Sequence, residues 1–173
     1  MSDSPQVSES DVLRRDWAEA TPRERPPRVL VVDDNRDAAH TLARLLSVLG
    51  IATEEANSGA AALLAIERLA IERQAPDLVF LDLGMAPMDG IETARQIKAR
   101  PEWQSLPLVA LTGLGHEHDR ERTLAAGFAA HLVKPVNLAL LEKTLEAFLD
   151  HPAGRAGERS RVGGPANRLP RHV

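Results

Sequence analysis

Four times along this chain a run of aliphatic residues without polar alternation ends abruptly in a side chain built for polar chemistry. Val29–Val32 runs into Asp33-Asp34, the stretch DLVFLD closes on Asp82, Pro107–Leu111 leads to Thr112, and Ala130–Val133 leads to Lys134-Pro135. A strand with one wet face alternates apolar and polar residues, because successive side chains point to opposite faces. Continuous apolar runs of this length fit strands buried on both faces, which is the condition of a parallel sheet covered by helices.

The segments between the runs have the helical period. Ala38, Leu42, Leu45, Leu46 and Leu49 recur at helical spacing and stop at Gly50, a residue suited to the left-handed turn that ends helices. Ile51–Glu55 reads as a short second strand, and Ser58 is placed to cap a long Ala/Leu helix reaching about Arg73. Further helices are expected near Gly90–Ala99, over Glu117–Ala126, and from about Asn137 to Leu149. Strands that alternate with helices define an α/β domain. Right-handed crossovers then make it a doubly wound, five-stranded parallel sheet with helices on both faces.

Composition sets the limits of that domain. Residues 1–27 are polar and close on Pro22, Pro26 and Pro27, and residues 151–173 are rich in Gly, Pro and Arg. Neither has the apolar content to bury a core, so both are expected to be disordered, around a domain at 28–150. The basic end segment is expected to be a solvated tail, and nucleic acid is not an expected partner. The chain has no cysteine, which removes disulfides, thiolate metal sites and cysteine nucleophiles. No apolar run approaches the roughly 20 residues that span a bilayer, and the first thirty residues lack the pattern of a signal peptide. The expectation is a cytoplasmic protein with no membrane partner.

In an open parallel sheet the functional crevice lies beyond the carboxyl ends of the strands. Asp33, Asp34, Asp82, Thr112 and Lys134 are therefore expected on one rim. Clustered carboxylates repel one another and need protons or a hard cation to coexist. Mg²⁺ takes oxygen ligands and retains waters, so carboxylates plus a carbonyl suffice. A carboxylate is also a nucleophile toward phosphorus, and a lysine can offset charge on a transferring phosphoryl group.

The fragments VLVVDDN, LDLGMAPMDG, LVALTG and HLVKP, in this order, resemble the receiver domain of two-component response regulators. The intervals from Asp34 to Asp82, to Thr112 and to Lys134 are 48, 30 and 22 residues. The last two match the family, and the first is longer by about one helical turn. The resemblance covers about residues 28–150 and implies a flavodoxin-like fold of strand order 2-1-3-4-5. It implies that Asp82 is the phosphoacceptor. Asp34, Asp82 and the Gly84 carbonyl would be direct ligands of Mg²⁺, or alternatively Mn²⁺, with Asp33 acting largely through water. Lys134 would pair with the phosphoryl group, Thr112 would move toward it on activation, and Pro135 would follow a cis peptide.

The implied partners are a histidine kinase or a histidine phosphotransfer protein and a downstream protein still to be named. The implied role is a stand-alone switch, similar to the receivers of hybrid sensor kinases, with no turnover of an outside substrate. A non-phosphorylated scaffold of the same fold is the alternative. A Mg²⁺-dependent phosphatase is disfavoured because Gly84 stands where its second acid belongs.

Three positions depart from the family pattern. His131 replaces the usual aromatic switch residue, so output is expected to rely on backbone movement of residues 113–116 more than on rotamer burial. Ala86, followed by Pro87, stands where proline is usual. Gly84 and Leu114 offer no polar side chain to orient a hydrolytic water, so a long-lived phosphoryl-aspartate is expected. His116 and His118, flanking Glu117, read as solvated residues.

Overall fold

The computed structural model describes residues 25–113 and 120–149. The expected 1–27 and 151–173 arms therefore lie almost wholly outside the described residues, as do Leu114, His116 and His118. Five parallel strands form one sheet in the order β2-β1-β3-β4-β5. They are β1 (Arg28–Val32), β2 (Ala52–Ala56), β3 (Leu78–Asp82), β4 (Leu108–Thr112) and β5 (Ala130–Val133). The helices are α1 (Arg36–Val48), α2 (Gly59–Ile71), α3 (Gly90–Lys98), α4 (Arg120–Ala126) and α5 (Leu138–Leu149). Among the described residues no helix is long and apolar enough to cross a membrane.

Strand alternation explains the unbroken apolar runs. Val29 and Val31 of β1, with Leu78 and Phe80 of β3, join the core under α1 and α5. Leu30 and Val32, with Val79 and Leu81, join the core under α2 and α3. Every residue of β3 and β4 is buried, so both faces of the central strands are dry. Phe80 has no exposed surface, a burial that stabilises by about 1.5–3 kcal/mol. The edge strand β2, of sequence ATEEA, is mostly half-exposed and reads as polar for that reason.

Local signals set the boundaries. Asn35 caps α1 by accepting hydrogen bonds from the Asp37 and Ala38 amides, so that helix starts two residues ahead of the first periodic leucine-face position, Ala38. Gly50 has φ +82°, its amide donates to the Ser47 carbonyl, and the Ile51 amide donates to the Leu46 carbonyl. This is the paired bonding that closes a helix through a left-handed residue. Ser58 caps α2 from its hydroxyl to the Ala61 amide, as expected. A 3₁₀ turn at Pro101–Trp103 was not foreseen from periodicity. Arg100 lies over the Trp103 ring, 4.5 Å from its centroid.

Candidate functional site

The carboxyl ends of the strands bring the chemistry together. Asp33 follows β1 directly and is fixed from three sides. Its amide donates to the Ala56 carbonyl at 3.1 Å. Its Oδ1 accepts from the Asn35 amide at 2.9 Å, and its carbonyl accepts from Asn57 Nδ2 at 3.3 Å. Asp82 is the last residue of β3, opposite Leu111 of β4. Thr112 ends β4 opposite Val133, and its carbonyl accepts from the Lys134 amide at 2.8 Å. The backbone ladder thus delivers the lysine to the same edge as the acids.

Lys134 joins them. Its Nζ donates to Asp33 Oδ2 at 2.8 Å and pairs with Asp82 Oδ1 at 3.0 Å. Asp33 and Asp82 are 2% and 6% exposed, so this ammonium offsets two carboxylates that have lost most of their water. Burial pulls the Lys134 pKa down, but hydrogen bonds to Asp33 and Asp82, reinforced by their charges, outweigh it and hold the pKa above the usual lysine value. The lysine is thereby kept as a cation.

Asp33, Asp34 and Asp82 each place a carboxylate oxygen within 4.8 Å of the others. Asp34 is the exposed member and opens the cluster to solvent. Three carboxylates against one lysine leave an excess of two negative charges when all are ionised. An all-oxygen, over-negative donor set suits a hard divalent cation such as Mg²⁺, and a soft metal would seek sulfur or imidazole. The residues present therefore fit the cation.

A cleft of about 370 Å³ opens beside Asp82, with Gly84, Asp89, Gly113, Arg122 and Lys134 among its lining residues. Asp89 also caps α3, its Oδ1 accepting from the Glu92 amide at 2.8 Å. Gly90 follows, where a Cβ would lie 2.2 Å from the Asp82 carbonyl oxygen. The start of α3 is thus pressed against the backbone of the acid, a contact that a side chain would exclude. The Lys134-Pro135 peptide is cis, and so is Ala86-Pro87.

His131 occupies the next position of interest, on β5 opposite Ala110. Its Nε2 meets Thr123 Oγ1, and that hydroxyl also donates to the Arg120 carbonyl at 3.0 Å. Burial first, and the Arg120 charge second, push the His131 pKa below the ordinary histidine value. Neither Arg122 in the cleft nor the Thr123 partner of His131 was singled out from sequence. An Arg or Thr in a short surface helix carries no local signal of what it faces across the fold.

The family model described as response regulator receiver domain matches residues 29–146. Among curated relatives, the chain is 35% identical over 121 residues to an uncharacterized 14.6 kDa protein in the sodA1 3′ region of Leptolyngbya boryana, covering 69% of this chain and 88% of that one. It is 37% identical over 135 residues to response regulator MprA of Mycolicibacterium vanbaalenii, covering 77% of this chain and 55% of MprA. The chain thus spans little more than half of that relative. A solved structure of Vibrio cholerae chemotaxis protein CheY4 superposes with a TM-score of 0.65 at 26% identity, covering 72% of this chain and 99% of that one. A putative response regulator from Chloroflexus aurantiacus gives the same TM-score and identity, over 73% and 100%. Sequence, strand order and these likenesses agree: the chain belongs to the response regulator receiver domain family of two-component signalling.

Proposed function

We propose that this receiver is a phosphorylation switch, in which Asp82 takes a phosphoryl group from a histidine kinase or a histidine phosphotransfer protein in a Mg²⁺-dependent reaction. The observation that carries this reading is Lys134 bridging Asp33 and Asp82 at 2.8 and 3.0 Å, on an edge shared with Asp34 and Thr112. A structural ion pair needs one acid, whereas a phosphoryl site needs a nucleophilic carboxylate, surplus acids for a cation, and a separate positive charge.

In the transfer, an Asp82 carboxylate oxygen attacks phosphorus and an oxygen–phosphorus bond forms. The phosphorus–nitrogen bond to the donor imidazole breaks, and its electron pair returns to the ring nitrogen. The product is an acyl phosphate. Asp33, Asp34, Asp82 and the Gly84 carbonyl would hold Mg²⁺, with Asp33 largely through water. The bound cation would supply charge neutralisation for the transferring oxygens. Lys134 contributes the same kind of stabilisation from the protein side, and the Thr112 hydroxyl donates to one phosphoryl oxygen.

The added charge then biases the surface of the domain. Output runs through contact with a downstream protein or through passage of the group along a relay. Gly84 has no side chain to aim a water at the acyl phosphate, so a slow spontaneous loss is expected.

The test is intact-protein mass after incubation with acetyl phosphate, with and without Mg²⁺. A phosphoryl adduct that needs Mg²⁺ and is lost in Asp82→Asn supports the switch. No adduct on a wild-type protein that binds Mg²⁺ supports the constitutive scaffold instead.

A further inference from the structure

Asp33 and Asp34 share one peptide group, and the way that group is turned decides where both carboxylates point. The parallel ladder between β1 and β2 ends with Val32 opposite Ala56, and the Asp33 amide still donates to the Ala56 carbonyl at 3.1 Å. One residue further β2 has ended, and Ser58 caps α2 through its own hydroxyl. There the side chain of Asn57 takes over from the ladder, its Nδ2 donating to the Asp33 carbonyl at 3.3 Å. We propose that Asn57 is a positioning residue for the cation site, holding the Asp33-Asp34 peptide in the orientation that aims both acids at one ion. This rests on the Mg²⁺-dependent reading above.

The two acids are held unequally, and that is why the peptide matters. Asp33 is 2% exposed, with Oδ1 accepting from the Asn35 amide at 2.9 Å and Oδ2 from Lys134 Nζ at 2.8 Å. Asp34 is exposed, so its carboxylate is aimed chiefly by the backbone that carries it. All three acids nonetheless keep carboxylate oxygens within 4.8 Å of one another. Mg²⁺ demands near-ideal octahedral geometry, so a small rotation of the peptide is felt in affinity. Groups that orient metal ligands act in this way without touching the ion. The asparagine amide is a neutral donor, so it fixes the carbonyl without cancelling the negative charge that draws the cation. Asn57 is half-buried and belongs to neither hydrophobic core cluster, so it can be replaced without opening the core.

The experiment compares wild type with Asn57→Ala and Ser58→Ala. Mg²⁺ affinity of the unphosphorylated chain is measured by calorimetry, and thermal melts establish that each variant is folded. Asn57→Ala is expected to bind Mg²⁺ about tenfold more weakly, the lower end of the loss for residues that orient metal ligands. Ser58→Ala removes the α2 cap and loosens the same connection without touching Asp33. Its melting temperature should fall, while its Mg²⁺ affinity stays within about twofold of wild type. Asn57→Ala binding within about twofold of wild type would overturn the role. An equal loss in Ser58→Ala would overturn it as well, because it would mark a general loosening between β2 and α2. A wild-type protein that binds no Mg²⁺ would overturn the Mg²⁺-dependent reading itself, and the Asn57 role with it.

Discussion

Asp33 and Asp82 stand at the ends of β1 and β3, nearly buried, and share the ammonium of Lys134. On the other side of the same edge, His131 of β5 and Thr123 of α4 meet through one side-chain hydrogen bond. The acid side is placed by backbone: each residue ends or follows a strand whose register is fixed by ladder bonds and by packing on both faces. The α4 side is placed by a helix, described over Arg120–Ala126, through the buried Thr123 and Ala126 and the Thr123 contact with His131. A strand end cannot shift without unpairing its neighbours, whereas a helix laid on the sheet is tied to it by side-chain contacts and not by ladder bonds. The domain thus sets an acid side placed by the backbone ladder against an α4 side placed by side-chain packing.

Four substitutions or conditions would break or sharpen that contrast. The largest effect is expected from Lys134→Met, which removes the charge bridging the acids. Adduct formation should slow by about 100-fold, the scale of losing one group that stabilises transition-state charge. Stability should also fall, by about 1–2 kcal/mol, because the nearly buried Asp33 and Asp82 lose the cation that offsets them, an effect tempered by the 31% exposure of Lys134. Stopped-time mass measurements and urea melts separate the two, and an unchanged rate would break the claim that the acid side performs the chemistry.

Next is Gly90→Ala. A methyl group 2.2 Å from the Asp82 carbonyl oxygen forces the start of α3 away from β3. A loss of about 2–3 kcal/mol is expected from urea denaturation. A loss below about 0.5 kcal/mol would show that this wall yields, and that the acid side is less rigid than its ladder implies.

Thr123→Val keeps the volume at the α4 side and leaves His131 Nε2 without that partner. It should cost about 1 kcal/mol, while Mg²⁺ affinity measured by calorimetry stays at the wild-type value. A matching fall in Mg²⁺ affinity would mean that the two sides are coupled before phosphorylation.

The smallest expected effect is a pH dependence. The folded-state pKa of His131 is lowered by burial and then by Arg120, so the unfolded chain binds a proton that the folded histidine resists. Stability from His131 is therefore intact above its unfolded pKa of about 6.5 and declines as pH falls below it. Urea midpoints between pH 7.5 and 5.5 should fall more in wild type than in His131→Gln. Identical slopes would remove His131 as a titrating element of the α4 side.

The same division decides what was legible in the sequence. Strand ends, the Gly50 stop and the Ser58 cap are local signals, readable from a few neighbouring residues; the stop and the cap lie where expected, and the ends of β2 and β4 lie one residue later than expected. The strand order and the gathering of Asp33, Asp34, Asp82 and Lys134 followed from the rule for open parallel sheets and from the family resemblance. The closeness of Gly90 to the Asp82 backbone, the His131–Thr123 contact and the place of Arg122 in the cleft were not legible. Each depends on how a helix is set down on the sheet, a tertiary outcome that periodicity does not encode. Pro101–Trp103 was missed because three residues are too few to show a period.

The central claim is that Asp82 is the acid that takes the phosphoryl group, and it is tested most directly by locating the label. Borohydride reduction of the acetyl phosphate-treated protein converts an acyl phosphate to an alcohol, which marks the acid as homoserine in peptide sequencing by mass. The account predicts homoserine at position 82 in the Mg²⁺-treated wild type. Homoserine at position 33 or 34, with Asp82 intact, would contradict it.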